Sequence, residues 1–229
     1  MWLIDSSIGR KVVMSVTGGA LILFLTFHMA MNCVVLIPEN GAEYYNAVCE
    51  FLGANWYALV GTVGLALLVV LHFVYAFWLT IQNRKARGSQ RYAVTKRPKT
   101  VEWASQNMLV LGIIVALGLC LHLANFWSKM QLQEIVGGSN FALGQASATD
   151  GAALIKYTFS QWYYVVLYIV WLAALWFHLS HGFWSALQTL GWNGKTWQNR
   201  WQVIGNIYVT LLVLGFVAVV LTFYFKSLC

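Results

Sequence analysis

The residues of this chain that could do chemistry are its five histidines, because long apolar segments surround them and hold few other ionisable groups. Four separate segments carry His28, His72, His122 and the neighbouring pair His178 and His181. An imidazole in an apolar interior costs free energy unless a partner satisfies it. Each of these side chains therefore needs a hydrogen-bonding partner or a metal.

The segments place their imidazoles at two depths. His28 and His122 lie ten and seven residues before the polar end of their segments, whereas His72 and His181 lie twelve and fourteen residues before the basic residues that follow theirs. The two levels differ by about ten residues, or about 15 Å along a helix. The pattern is two pairs of imidazoles at two depths.

Haem iron with two axial histidines requires this pattern, because each pair clamps one macrocycle between two helices. Zinc would need three or four converging ligands, and only Cys120 shares a level with the histidines. A proton relay would need Asp or Glu inside the segments, and their interiors contain none. The remaining alternative is that each histidine hydrogen-bonds to a neighbouring helix. We predict two haems, with one of His178 and His181 as a ligand and the other as a nearby polar residue.

The segments themselves are predicted transmembrane helices. The 229 residues are 60% hydrophobic and 9% charged, whereas a soluble domain carries about a quarter charged residues. Five proline-free apolar stretches exceed the roughly 20 residues that a helix needs to cross a bilayer. They are residues 12–37, 56–81, 103–127, 162–190 and 203–225. We predict an all-α integral membrane protein, with 1–229 as a single membrane domain whose five transmembrane helices form the haem-binding bundle.

Three glycines are placed where a flat ligand would need room. Gly18 and Gly112 each lie ten residues before the histidine of their own span, and Gly61 lies eleven before His72, at the level of the other histidine pair. A missing side chain there would let a macrocycle approach the backbone. Close packing between helices favours glycine equally.

Charge sets the expected orientation. Most of the 14 Lys and Arg flank the spans on one side, with a dense group in the loop from Arg84 to Lys99. Basic residues favour the cytoplasmic side, so the N-terminus is predicted to be cytoplasmic and the C-terminus outside. Because these residues do not form a separate domain, they argue against nucleic-acid binding and favour membrane lipid or an acidic partner protein.

Four stretches carry a resemblance to a known family. They are "SVTGGALILFLTFHMAMN" in the first span, "LHFVYAFWLTIQNRKARG" leaving the second, "EWASQNMLVLGIIVALGLCLHL" in the third and "HGFWSALQTLGW" in the fourth. With them the chain resembles the dihaem cytochrome b membrane subunit of succinate:quinone oxidoreductases, including quinol:fumarate reductases. The His-Gly pair of the fourth span favours His181 over His178.

The resemblance implies an electron-transfer subunit of a larger enzyme in the bacterial inner membrane. His72 and His181 would hold the proximal haem b, and His28 and His122 the distal haem b. A flavoprotein, which carries the dicarboxylate chemistry, and an iron–sulfur subunit would dock on the cytoplasmic loop Arg84–Lys99. Electrons would pass between the iron–sulfur clusters, the two haems and a quinone, commonly menaquinone in this layout. The complex is expected to be a dimer of heterotrimers.

The resemblance also suggests surroundings for the cofactors. Candidate neighbours of the proximal haem propionates, which could equally have packing roles, are Ser15, Trp103 and Gln106, with Lys11 or Lys195 as charge partners. For proton transfer to quinone the best match is Glu50, twenty-two residues after His28, followed by Glu43. Either glutamate could equally be a solvated loop residue.

Two other classes of protein share part of this pattern. A cytochrome b subunit of a hydrogenase or formate dehydrogenase also carries paired histidines, but its catalytic partner docks on the outer face. A non-redox membrane protein with packing histidines would bind no haem. The docking face separates the first class, and a haem count separates the second.

Overall fold

The computed structural model describes residues 6–87, 103–140, 143–144, 147–192 and 194–229. Five of its helices are long and apolar enough to cross a membrane, which confirms the predicted all-α architecture with five spans. These helices are α1 (Ser7–Cys33), α3 (Trp56–Arg87), α5 (Met108–Asn125), α8 (Trp162–Thr189) and α9 (Trp197–Leu228). The shorter helices are α2 (Gly41–Phe51), α4 (Trp103–Gln106), α6 (Gln131–Val136) and α7 (Gly151–Phe159).

The largest difference from the predicted spans is a break in the third. The apolar run begins at Trp103, but α4 ends at Gln106 and α5 begins at Met108. Asn107 lies between them, and its side-chain Nδ2 donates to the carbonyl of Trp103 at 2.8 Å. A short amide side chain that bonds to the preceding turn competes with helical continuation, so the helix is interrupted there.

The centre of the bundle is α8, which packs on α1, α5 and α9. Its buried residues Tyr168, Leu172, Leu175 and Leu179 recur at helical spacing and form one apolar face. That face belongs to the same buried cluster as residues of α9. In lipid, packing and interhelical hydrogen bonds hold such helices together.

The helix α3 lies at the edge of the bundle and packs chiefly along α1. Of the α3 residues that the structure describes, none is fully buried. Near its basic end, the guanidinium of Arg10 on α1 lies 5.5 Å from the centre of the Trp78 ring of α3. A cation over an indole face is an attractive contact between the two helices.

The helices α2, α6 and α7 gather at one end of the bundle, which we call the capped end. Asn46 of α2 donates to the Asp150 carboxylate at 2.9 Å and accepts from the Ala152 N–H at 2.9 Å. Asp150 also caps α7 by accepting from the Ala153 N–H at 3.1 Å. The opposite end, which carries Arg10, Lys11, Arg84 and Lys85, is the basic end.

Gln131 joins three separate elements at the capped end. Its Nε2 donates to the Gly53 carbonyl at 2.9 Å, and its Oε1 accepts from Thr62 Oγ1 and from Trp127 Nε1, both at 2.9 Å. We call this set of bonds the Gln131 clasp. Because Gln131 is buried, each bond replaces a lost contact with water. The clasp fixes the start of α3 to the segment that follows α5.

Candidate functional site

The structure brings His28 of α1 and His122 of α5 together near the capped end. Their ring centroids are 5.7 Å apart and the ring planes lie at 88°. Aromatic rings surround the pair, with Phe24 stacked on His28 at 5.5 Å and Trp171 tilted against His122 at 5.7 Å. The pair therefore lies in an apolar, aromatic environment.

The position of His122 depends on Trp171 of α8. The indole Nε1 donates to the Val115 carbonyl of α5 at 3.0 Å, which fixes the ring across the helix interface. The ring lies directly over Gly118, where any β-carbon would overlap it. Only glycine lets the indole come this close to the α5 backbone, one turn before His122.

The position of His28 depends on Asn32, one turn later on α1. Asn32 Nδ2 donates to the His28 carbonyl at 2.8 Å and lies 3.4 Å from His28 Nε2. The hydroxyl of Tyr45 on α2 donates to Asn32 Oδ1 at 3.2 Å. A residue outside the spanning helices thus reaches the histidine pair through one amide.

The second pair lies nearer the basic end and consists of His72 of α3 and His178 of α8. Their ring centroids are 6.4 Å apart, with the planes at 70°. His72 Nδ1 lies 3.2 Å from Thr17 Oγ1 of α1. A β-carbon at Gly18 would be 3.3 Å from His72 Cε1, so the imidazole rests almost on the α1 backbone.

The ring that the structure places against His72 is that of His178, whereas the sequence favoured His181. The ring of His181 packs on Trp184 at 4.9 Å. The two histidines are neighbours on α8, about 60° apart around the helix axis. His178 follows Trp171 by seven residues, which puts both on the face of α8 that meets α5. The spacing alone does not select His178, because the contact of Trp171 with α5 is not visible in the sequence.

Contacts at Gly18 and Gly112 show how far apart the two histidine pairs lie along the bundle. His72 contacts α1 at Gly18, ten residues before His28. A β-carbon at Gly112 of α5 would be 3.9 Å from His178 Cε1, and Gly112 is ten residues before His122. At 1.5 Å per residue the two pairs are about 15 Å apart along the bundle.

The geometry of both pairs suits a metal between the rings. Metal–imidazole bonds of about 2 Å on each side place opposed ring centroids about 6 Å apart. The observed separations are 5.7 Å and 6.4 Å. Direct edge-to-face packing of two rings covers the same range, so the distances are necessary for a metal site but do not decide it.

The hydrogen bonding of the imidazole nitrogens also bears on whether the pairs bind a metal. Nδ1 of His122 and Nδ1 of His178 are buried and make no hydrogen bond in the described part of the protein. A buried imidazole nitrogen with no partner is costly, and a metal bound at that same nitrogen would satisfy it. Thr17 occupies Nδ1 of His72, which leaves Nε2 of that ring as the atom able to bind a metal.

The number of ligands narrows the type of metal site. Within the described ranges, no three His, Cys, Asp or Glu side chains converge on one point. A tetrahedral zinc site needs three or four protein ligands, and the pairs do not supply them. A haem supplies four nitrogens of its own and needs only two axial ligands. The histidine pairs fit that requirement at both levels.

The residues predicted beside the proximal haem have different surroundings in the structure. The Trp103 ring packs 5.1 Å from that of Phe177, which precedes His178 in α8. Ser15 is buried, but its hydroxyl donates to the Lys11 carbonyl of its own helix at 2.9 Å. The side chains of Gln106, Lys11 and Lys195 are exposed.

Glu50 lines an open cavity of about 640 Å³ at the capped end, together with Phe51, Asn55 and Tyr57. Glu134 lines the same cavity, and its carboxylate accepts from the Ala54 N–H at 3.1 Å. Glu134 was not among the predicted site residues, because it lies far from Glu50 in the chain.

Glu43, the second predicted glutamate, lines a neighbouring cavity of about 450 Å³ with Asn46, Asp150 and Glu50. Glu50 is therefore the glutamate that faces both spaces.

The inner side of α2 is buried against α7. Burial raises the pKa of the Cys49 thiol to about 11, and burial also raises the pKa of Tyr45. A β-carbon at Gly151 of α7 would lie 2.5 Å from Cys49 Sγ, which shows how closely the two helices approach. Both side chains are held in their neutral form.

The predicted docking loop Arg84–Lys99 lies mostly outside the described residues. Its first residues continue α3, which ends at Arg87. Arg84 and Lys85 are exposed there, on the side of the bundle that carries Arg10 and Lys11.

Comparison of the chain with protein-family models, with curated proteins and with solved structures finds no match. The histidine geometry and the sequence resemblance are therefore the two indications of function.

Proposed function

We propose that this protein is a dihaem membrane subunit that carries electrons between the two sides of a membrane. The observation that carries the proposal is the pair of two-imidazole sites, each between two spanning helices, with ring centroids 5.7 Å and 6.4 Å apart. Buried Nδ1 atoms without hydrogen bonds at His122 and His178 favour it over packing histidines.

Each histidine has a defined part in the proposal. His28 and His122 are the axial ligands at the capped end, and His72 and His178 are those nearer the basic end. Haem bound in these positions supplies a one-electron carrier at each level. His178 replaces His181 as the partner of His72, because the structure supports that pair by contact.

Thr17 orients His72. With Nδ1 directed at the Thr17 hydroxyl, 3.2 Å away, Nε2 is the ring nitrogen left for a metal. Partners of this kind fix the tautomer and the orientation of a histidine ligand. Gly18 allows the arrangement by leaving room for the ring against α1.

The wider proposal follows the sequence resemblance. The subunit belongs to a succinate:quinone oxidoreductase or quinol:fumarate reductase of a bacterial inner membrane, with the basic end in the cytoplasm. A flavoprotein and an iron–sulfur protein dock at that end, where exposed Arg84 and Lys85 extend α3. The flavoprotein carries the dicarboxylate chemistry, and the whole assembles as a dimer of heterotrimers.

The quinone site in this proposal is the cavity at the capped end. Quinone reduction or quinol oxidation moves two protons with two electrons, so the site needs a group that exchanges protons. Glu50 lines the cavity beside Phe51 and Tyr57, whose rings supply apolar contact for a quinone such as menaquinone. We assign proton exchange to the Glu50 carboxylate.

The test is a haem count on single-histidine variants. The purified wild-type chain, made in a host that supplies haem, should give two haems b by pyridine haemochrome. His178→Ala and His28→Ala should each retain one, and they should lose different haems in the reduced-minus-oxidised spectrum. His181→Ala is the matched control and should retain two.

Three results would contradict the proposal at different points. Loss of one haem in His181→Ala, with two retained in His178→Ala, would restore the pair His72 with His181. A wild-type chain without haem would remove the electron-transfer function and leave the packing histidines. Docking of the soluble subunits on the capped end would favour the hydrogenase or formate dehydrogenase class instead.

A further inference from the structure

The cavity of about 640 Å³ at the capped end is lined by two carboxylates from different elements. Glu50 belongs to α2, and Glu134 belongs to α6, which follows the third spanning helix. Phe51 and Tyr57 line the same cavity and supply aromatic surface. An ionised carboxylate can only accept hydrogen bonds. The cavity therefore combines apolar contact with two groups that require a donor.

The position of Glu134 is fixed by the segment that joins α2 to α3. Its Oε2 accepts from the Ala54 N–H at 3.1 Å. A β-carbon at Gly53 would overlap the carboxylate, so only glycine lets this side chain lie against the backbone there. A hydrogen bond from an N–H favours the charged form of a carboxyl group. Glu134 is thus held at the cavity wall as an acceptor.

The donors on the other side chains that line the cavity already have partners. Asn55 Nδ2 donates to the carbonyls of Glu50 and Phe51, at 3.3 Å and 3.1 Å. The Tyr57 hydroxyl donates to the Phe51 carbonyl at 2.6 Å. The Thr149 hydroxyl lies 2.8 Å from that of a neighbouring serine. The lining side chains therefore offer a ligand mainly acceptors.

The two redox forms of a quinone differ in what they offer to such a cavity. The quinone has two carbonyl oxygens, which only accept, so a carboxylate repels them. The quinol has two hydroxyls on opposite sides of its ring, and each can donate a charge-assisted hydrogen bond to a different carboxylate. Glu50 is exposed, and water stabilises its charge before a ligand enters. The chemistry of the wall favours the quinol.

We propose that Glu134 is a second binding residue of the quinone site, and that with Glu50 it makes the cavity selective for the reduced, dihydroxy form. Each carboxylate accepts from one hydroxyl of the quinol. The identity of the ligand as a quinone rests on the proposed function. Tenfold tighter binding of the quinol would raise the reduction potential of the bound pair by about 30 mV.

The test compares the two redox forms of one probe on the purified full-length chain in detergent. The probe is 2,3-dimethyl-1,4-naphthoquinone, whose blocked ring positions prevent alkylation of cysteine. Calorimetry would measure the quinone on the oxidised protein and the hydroquinone on the dithionite-reduced protein, so that no electrons are exchanged. The dissociation constant of the hydroquinone should be lower by about tenfold or more, as expected for charge-assisted hydrogen bonds.

Glutamine variants assign the preference to individual residues. In Glu134→Gln and in Glu50→Gln the ratio of the two dissociation constants should fall toward one, because an amide both donates and accepts. Glutamine at position 134 can still accept from the Ala54 N–H, so the local fold is retained. Glu43→Gln is the matched control, since it removes the same charge but lines the neighbouring cavity. It should keep the wild-type ratio.

The outcomes separate this inference from the proposed function. Equal affinities in the wild type, or tighter binding of the quinone, would overturn the selectivity. A wild-type ratio in Glu134→Gln, with loss of preference in Glu50→Gln, would remove Glu134 and leave the quinone site at Glu50. Binding of neither form would remove the quinone site and this inference together, whereas the haem count decides electron transfer independently. Selective hydroquinone binding by a chain without haem would retain Glu134 and remove the electron-transfer function.

Discussion

Replacing Gly118 by alanine adds one methyl group where the structure has no room for it. The Trp171 ring lies over Gly118, and its Nε1 donates to the Val115 carbonyl at 3.0 Å. The added methyl group must push the indole away from α5. That movement breaks the hydrogen bond and shifts the ring that packs against His122.

The expected cost can be estimated from its parts. Overpacking of a tight interface costs about 1–3 kcal/mol, and the lost hydrogen bond costs about 1 kcal/mol. Alanine in place of glycine within a helix stabilises the helix by about 0.5–1 kcal/mol. Gly118→Ala should therefore lower the free energy of unfolding by about 1–3 kcal/mol.

Gly64→Ala is the matched control, because no atom lies within 4 Å of a β-carbon at Gly64 of α3. It should raise the free energy of unfolding by about 0.5–1 kcal/mol. Both variants would be unfolded with SDS in mixed micelles and followed by circular dichroism.

A double-mutant cycle with Trp171→Phe tests the cause. If the indole is responsible, the effects of Gly118→Ala and Trp171→Phe should be non-additive by about 0.5–3 kcal/mol. Additive effects, or equal stability of Gly118→Ala and Gly64→Ala, would refute the packing argument.

Two further predictions concern the capped end. Since burial raises the pKa of Cys49 to about 11 from 9.0, alkylation of Cys49 should be slow at pH 8 and rise about tenfold per pH unit. Peptide mapping against the exposed Cys229 measures this, and a rate independent of pH would contradict it. The folded pKa lies above the unfolded one, so the Cys49 contribution to stability should be complete below pH 9 and lost between pH 9 and about 11. Gln131→Leu removes the clasp and should cost about 2–4 kcal/mol, with faster amide exchange near Thr62. Gln133→Leu, which removes a single bond to the Ser128 carbonyl, is the control, and equal exchange in both would argue against the clasp.

The sequence was sufficient for the features that depend on composition and on position along one helix. Spanning length and hydropathy predicted five helices, and counting residues predicted that His28 and His122 share a level. Gly18 and Gly112 could be assigned to a level in the same way. These inferences need only the rise of a helix and the thickness of a bilayer.

The choice between His178 and His181 needed the rotation of α8 about its own axis. That rotation is set by the packing of α8 against α1, α5 and α9 together, and one helix sequence does not contain it. The route from Tyr45 to His28 was also invisible, because it joins α2 to α1 through side chains alone. Asn107 shows a third limit. The apolar run predicted one continuous helix, but the helix is interrupted at Asn107, whose side chain bonds to the preceding turn.

The edge position of α3 has a consequence for the order in which the protein matures. Because α3 packs chiefly on α1 and is fastened at the capped end by Gln131, the other four spanning helices share a core that does not depend on it. His72 is the one histidine of the two pairs that α3 brings. Under the proposed function, a haem would enter from the α3 side after the other helices have assembled, and α3 would bring the last ligand. Release of α3 would break the hydrogen bond from Thr62 to Gln131 and the contact of His72 with Thr17.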